Sequence, residues 1–460
     1  MRRALVFGDR MLDVELPDRT QPVSPGVSLP LDATPDLEAT VISALEEPLD
    51  GPPLSRRARD AKRVTIAFDD ATVPCFAPVW ATALPIIIGT LEASGVERDR
   101  IGLVCANSLH RQFTHDELGR LIGDEIVRVH GDRLSCHDAE DPDALEYLGP
   151  TASGYDVELN RCVTESDLTI YLNCSTTRGF SGGWKSVCVG LSSYRSIHHH
   201  HTPDVMSMSL DRNRMHEILD EMGGLVDDTL GPQRIFKLET VLANPLQVHT
   251  IYGGSVAATR RKVVEKLAAH QPPRRELLEE PADVVIYGVP DWSPYAAFSH
   301  GNPILDIIST GLGYLGGVIQ ALGKEGCTAI LATPAPWRWD DARHPSYREV
   351  WEEVLAVTLN PDEARARYEP VLAARPDYID AYRTKFGFHP VHGIMALYPL
   401  KRLRHAGKVI VAGAEDPDIP RHCGCEATQS VEEAIALAED IHGTDCKIAL
   451  VDYPLAVNRS

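Results

Sequence analysis

The sequence predicts an α/β protein of two domains, each with a mainly parallel sheet flanked by helices, and with an active site in the cleft between them. Short apolar runs are the first observation behind this. VTIAFDD (64–70), IGLVCA (101–106), LTIYL (168–172), ADVVIYG (282–288), TAILATP (328–334), KVIVAGA (408–414) and KIALVDY (447–453) lack the polar alternation of half-exposed strands, so they read as strands covered on both faces. Second, these runs alternate with helical segments, the order that builds parallel sheets with ligands gathered at the strand ends. Third, 460 residues exceed what one core usually serves. Prolines and charges cluster in QPPRRELLEEPAD (271–283), which reads as a linker. Residues 1–275 and 282–460 are therefore expected to be the two domains.

Taken in order, ALVFG (4–8) is a short strand, followed by a Pro-rich extended stretch from Pro17 to Pro35 and a helix over Asp36–Leu45. PLDGPPL (48–54) is a turn, and VTIAFDD is a strand ending in two acids. A helix over 77–94 leads to the next strand, which ends at Ser108-Leu109-His110. Thr114 caps the helix THDELGRLIGD, with Glu117 three residues on as in a capping box. VELNRCVTESDLTIYLNC (157–174) gives a short helical or turn segment and then a strand. A helix over 213–222, the strand and turn VHTIYGGS (248–255), and a charged helix from 256 complete the first half. In the second half, long helices over 347–357, 361–374 and 431–441 separate the strands.

Composition narrows the function classes. Lys and Arg total 45 against 66 Asp and Glu, a net charge of −21, so nucleic acid and anionic membranes are not expected as partners. No apolar run approaches a membrane span and MRRALVFG lacks a signal peptide's apolar stretch, which suits a cytoplasmic enzyme. The ten cysteines are scattered, as free thiols in a reducing compartment would be. The pair in CGC (423–425) has no companion at zinc-site spacing and reads as a turn.

Three clusters at strand ends carry chemistry. One is Asp69-Asp70-Ala71-Thr72, which also suits a turn or helix cap. Another is His110-Arg111, where a histidine at a strand end can act as a general base. The third lies in STTRGFSGGWKSVCVGLSSYRSIHHHH (175–201). Its glycines allow close approach of backbone to a ligand. Lys185 follows the turn as a phosphate contact or covalent amine, and sixteen residues later a run of four histidines closes at His201. An ordinary surface loop fits these residues too.

Together the clusters resemble the lactate racemase family, whose members use a nickel-pincer nucleotide. The resemblance runs through LVFGDRMLDVELPD, ISALEEPLDGPPLSRRARDAKRVTIAFDDAT, ANSLHR, ELNRCVTESDLTIYL and, most specifically, GFSGGWKSVCVG with the trailing SIHHHH. It implies that Lys185 holds the cofactor covalently through a thioacyl group. Asp70, Thr72, Ser181, Gly182 and Gly183 would lie along it. His201 would complete the nickel centre, with His200 as the alternative within the run. His110 would be an acid–base group. The implied chemistry is hydride abstraction at a hydroxyl-bearing carbon and its return to either face of the transient carbonyl. A small hydroxy acid is the implied substrate, and a homodimer is compatible with the family.

The departures shift that expectation. Asp70-Ala71-Thr72-Val73 has Val73 where the family's motif has arginine, and Ser175 stands where racemising members carry a second acid–base histidine. GNPILDIISTGLGYLGG places Thr310 and Gly313 near where glutamine and lysine would grip a carboxylate. A 2-hydroxy acid other than lactate is therefore expected, with Ser175, Arg178, Arg195 and Trp337 as candidate substrate contacts and Arg338 and Trp339 beside the last. The alternatives are a hydride-shuttling isomerase or oxidoreductase with a single base, and a non-catalytic relative that only binds cofactor or metal.

Overall fold

Residues 1–24, 31–175, 179–206, 213–271 and 274–453 are described by the computed structural model of the chain. Arg178 lies outside the described residues. Two compact units divide the chain. One consists of 29–270 with 382–386, and the other of 1–28, 271–381 and 387–460. Among the described residues, no helix is long and apolar enough to cross a membrane.

The unit holding residues 29–270 is built on a six-stranded sheet. Its order is Gln247–Gly254, Ile235–Asn244, Leu168–Ser175, Val64–Asp69, Ile101–Ala106 and Leu134–Cys136. All neighbours run parallel except the first pair. Every residue of the two central strands, Val64–Asp69 and Leu168–Ser175, is buried, which is why both read as continuous apolar runs. From Val64–Asp69 the chain fills the sheet toward one edge and then returns to the other side through Leu168–Ser175. The carboxyl ends of these two strands flank the point where strand order reverses, the place where open α/β sheets hold ligands.

Helix boundaries follow side-chain caps. Asp36 accepts from Ala39 N at the start of Leu37–Glu46, and Asn213 accepts from His216 N at the start of Arg214–Leu230. Thr114 and Glu117 form a complete capping box on His115–Ile122.

The other unit carries an all-parallel six-stranded sheet ordered Glu426–Thr428, Lys408–Ala412, Gly323–Ala332, Ala282–Gly288, Ile448–Val451 and Gln21–Val23. Its core joins Val284, Ile286, Ile330, Ile410, Ile448 and Leu450 to Leu5 and Phe7 of the opening strand and to Val431, Ala434, Ile435 and Ala438 of the helix Val431–His442. Each Val, Ile, Leu or Phe among these contributes about 1.5–3 kcal/mol on burial. The division expected from sequence keeps residues 1–275 together. Pairing of Gln21–Val23 with Ile448–Val451 instead draws the first residues into this second sheet. The helix expected over 347–357 is wound as Tyr347–Glu349 followed by a π-turn over Val350–Val354.

Candidate functional site

Asp69 and Asp70 close the central strand, and the two carboxylates face different partners. Asp69 accepts from Tyr171 Oη (3.1 Å), Asn173 Nδ2 (2.8 Å) and the Cys174 amide (2.8 Å), which ties it into the neighbouring strand. Burial raises its pKa against the pull of the Lys237 charge and these bonds. Asp70 accepts from the Thr72 amide (3.1 Å) and Oγ1 (2.5 Å) at one oxygen and from His110 Nδ1 (2.8 Å) at the other. Burial pushes Asp70 upward too, but the charge and hydrogen bond of His110 and the Thr72 bonds outweigh it and leave the carboxyl below its ordinary range. A carboxylate only accepts, so Nδ1 of His110 carries the proton and Nε2 is the basic nitrogen.

His110 sits on a tight turn after Ile101–Ala106. Ser108 adopts φ +54°, a region that residues with a Cβ visit at a cost of roughly 1–2 kcal/mol. Asn107 Nδ2 donates to the His110 carbonyl (3.0 Å) and the Ser108 amide donates to the Gly190 carbonyl (3.0 Å), so the turn is fastened to the Lys185 segment. Arg111 makes two bonds to Glu117, at 3.0 and 2.7 Å, and is almost fully buried. This anchor holds the turn, so Arg111 is structural.

The glycine turn is shaped by what packs beneath it. Gly182 (φ +84°) and Gly183 (φ +59°) are both left-handed. A Cβ on Gly182 would overlap Glu239 Oε1 and lie 2.7 Å from Ser175 Oγ; one on Gly183 would lie 3.0 Å from Arg260 Cδ. Arg260 donates to the carbonyls of Ser181 (2.5 Å) and Gly179 (3.1 Å), Asn213 donates to Gly179 (2.6 Å), and His216 Nε2 donates to Phe180 (3.2 Å). Buried Trp184 fills the space against Gly223, where no Cβ would fit. Lys185 then opens the short helix Lys185–Cys188, its Nζ 4.6 Å from the centre of the Phe180 ring. Crowding by protein lowers the Lys185 pKa, offset in part by the charges of Asp69 and Asp70.

The four histidines divide. His200 is fully buried, and its Nδ1 lies 2.8 Å from Nδ1 of His201, so one of the two donates and the other accepts. Burial, and then the charge of Lys185, push the His200 pKa down to about 3. Its Nε2 has no hydrogen-bond partner among the described residues. His198 and His199 keep some solvent contact, and their side chains gather with Asp156 instead.

Two charged residues that the sequence reading passed over complete the floor. Lys237 and Glu239 project from the same face of Ile235–Asn244 and are both fully buried. Lys237 donates to Ser186 Oγ and lies 4.5 Å from the Tyr171 ring centre. Burial brings its pKa down to about 8, against the pull of Glu239 and Asp69. Glu239 Oε1 accepts from Ser175 Oγ (2.9 Å), whereas its Oε2 has no partner among the described residues. The signal was present: two opposite charges two residues apart inside an apolar run, a spacing that puts both on one strand face.

Asp70, His110, Ser175, Lys185 and the His200–His201 pair are thus gathered at the carboxyl ends of adjoining strands and on the loops that follow. The family model for the lactate racemase N-terminal domain matches residues 7–212, which contain all of them. The lactate racemase of Lactiplantibacillus plantarum is 24% identical over 430 residues, covering 91% of this chain and 90% of that protein. Residues 7–212 thus carry the lactate racemase N-terminal domain, and nearly the whole chain is similar to a lactate racemase. A lactate racemase of Thermoanaerobacterium thermosaccharolyticum is 26% identical over 195 residues, covering 42% of this chain and 44% of that one. The solved lactate racemase apoprotein from Thermoanaerobacterium thermosaccharolyticum shares the fold over the full length of both chains, with a TM-score of 0.71 at 20% identity.

Other positions raised by the lactate racemase resemblance are occupied as follows. Thr310 is buried and donates to the Trp292 carbonyl (3.2 Å), and a Cβ on Gly313 would meet Pro399 at 2.8 Å, so neither offers a cation. Arg195 stacks on Tyr147 and lies within 4 Å of Asp156 and Glu158, outside the Lys185 cluster. Trp337 is exposed and packs with Trp339 and Trp351 in the other unit. Asp306 of that unit is buried with neither oxygen partnered among the described residues, and burial, with Asp291 nearby, raises its pKa to about 8. Cys423 and Cys425 are buried free thiols.

The residues present suit a nickel-pincer nucleotide. Burial lowers the Lys185 pKa, in the direction of the free amine that a covalent link requires. His200 is a neutral imidazole with an unpartnered buried nitrogen, and ligation requires that neutral form.

Proposed function

We propose that the chain is a racemase or epimerase of a 2-hydroxy acid other than lactate, dependent on a nickel-pincer nucleotide. The observation that carries this is the joint setting of Lys185 and the His200–His201 pair, within residues that match the lactate racemase N-terminal domain. Lys185 would hold the cofactor covalently. His201 has the ligand spacing, and His200, through its bare Nε2, is the alternative within the same pair. Asp70, Thr72, Ser181, Gly182 and Gly183 would border it. When bound, that group supplies an acceptor for the hydrogen of the hydroxyl-bearing carbon.

The remaining work falls to side chains. With Asp70 accepting at Nδ1, His110 presents Nε2 to take the substrate's hydroxyl proton, and the carboxylate stabilises the imidazolium that results. Ser175 stands where the family places a second base, and its hydroxyl is bonded to buried Glu239. A Ser175–Glu239 pair can pass a proton from the opposite face, which a serine alone cannot at neutral pH. Lys237 and Asp69 keep the surrounding charge balanced. Val73, Thr310 and Gly313 supply no cation, so a lactate-sized carboxylate would lack its clamp, and a longer hydroxy acid or sugar acid with more anchoring groups fits better. The single-base reading, an isomerase or oxidoreductase, is favoured by Ser175 itself.

A panel of 2-hydroxy acids deuterated at the carbinol carbon tests both readings on cofactor-loaded protein. Inversion with retained label is expected for one substrate class and not for lactate, and S175A and E239Q should each slow it. Lactate racemisation at rates exceeding every other acid would overturn the substrate assignment. Inversion unaffected by S175A and E239Q would remove the second relay.

A further inference from the structure

We infer that Asp156, His198 and His199 form a second divalent-metal site, of the zinc class, on the outer side of the histidine run. Their ligand atoms all lie within 4.8 Å of one another. His199 Nε2 is 3.5 Å from Asp156 Oδ2, long for a hydrogen bond, and no good hydrogen-bond partner for it exists among the described residues. Metal–ligand distances of about 2.0–2.2 Å in a tetrahedron separate neighbouring ligand atoms by roughly 3.3 Å. The 3.5 Å separation is therefore already that of two ligands on one ion.

The surroundings hold these groups in place. Tyr147 Oη donates to Asp156 Oδ1 (2.5 Å), which fixes the carboxylate and leaves Oδ2 for a cation, an outer-shell arrangement common at metal sites. The His199 ring meets Tyr155 edge-on at 5.7 Å, and the His198 ring lies 4.0 Å from that of His199. The competing cation is Arg195, whose Nε is 3.7 Å from Asp156 Oδ2 and whose Nη1 is 3.6 Å from Glu158. Arg195 is half exposed and can turn toward Glu158 when a metal arrives. Two imidazoles and one carboxylate, with water as fourth ligand, favour zinc over calcium or magnesium. An ion there would clip the strand Asp156–Asn160 to the turn that carries His200 and His201, so the site is a brace behind the inner pair rather than part of it.

The test is titration of chelator-treated full-length protein with Zn²⁺ alone against a chromogenic competitor, with a thermal melt at each end point. Wild type and H201Q should bind one high-affinity equivalent and melt at a higher temperature with Zn²⁺. D156N, H198Q and H199Q should each weaken that binding at least tenfold and lose the Zn²⁺-dependent shift. H198Q and H199Q keep the Tyr147–Asp156 bond, so they separate metal loss from damage to the strand. Zn²⁺ binding that survives H198Q and H199Q, or that disappears in H201Q, would overturn the site, as would binding only at millimolar zinc.

Discussion

His110 and Asp70 are coupled across 2.8 Å, and the carboxylate's low pKa comes from that imidazole and from Thr72. Replacing Asp70 by asparagine removes the charge that selects the tautomer and stabilises the imidazolium. D70N is expected to lower kcat roughly 10- to 100-fold with little change in the melting temperature, read by steady-state kinetics and calorimetry. Gly182 makes a sharper demand, because it combines φ +84° with the approach of Glu239 and Ser175. G182A should cost at least about 1–2 kcal/mol from the left-handed backbone alone, with overlap on Glu239 adding to it, measured by denaturant unfolding. Lys185, His110, Asp70 and the histidine run were legible in the sequence because motif and spacing mark them. Lys237 and Glu239 were missed although their two-residue spacing puts both on one strand face, since charges inside an apolar run read as an interruption of the strand.

Among the elements, the central strands and their helices were legible because burial on both faces leaves continuous apolar runs and because Asp36, Thr114 and Asn213 mark helix starts. Ile235–Asn244 escaped because Lys237, Glu239 and Thr240 break its apolar pattern, although it lies inside the sheet. The pairing of Gln21–Val23 with Ile448–Val451 joins residues more than four hundred positions apart, which no local pattern records. At this scale the prediction concerns the turn that presents His110. Arg111 and Glu117 are a buried, doubly bonded pair, so R111M leaves an uncompensated carboxylate. It should destabilise the 29–270 unit by about 3–5 kcal/mol, and E117Q combined with R111M should recover part of that.

For the whole molecule, stability should carry the mark of Asp306. Its folded pKa, about 8, lies above the ordinary 3.8, so the folded chain keeps a proton that the unfolded chain loses as pH rises. The sign follows: its contribution to stability is most favourable below pH ~4 and is lost progressively up to pH ~8. D306N removes that dependence. It should therefore gain stability relative to wild type by up to about 3 kcal/mol more at pH 7.5 than at pH 5, read from unfolding midpoints of the unit containing residues 271–381. A constant difference across that range would show that Asp306 is ionised in the fold.

In the proposed function, Lys185 carries a nickel-bearing nucleotide beside His200 and His201. Full-length protein, co-expressed with the enzymes that synthesise the cofactor, is digested for peptide mass and assayed for metal. A nucleotide-sized mass increment on the peptide containing Lys185, with roughly stoichiometric nickel, and loss of both in a folded Lys185→Ala variant is the predicted result. An unmodified Lys185 peptide, or nickel equally bound by the variant, would contradict it.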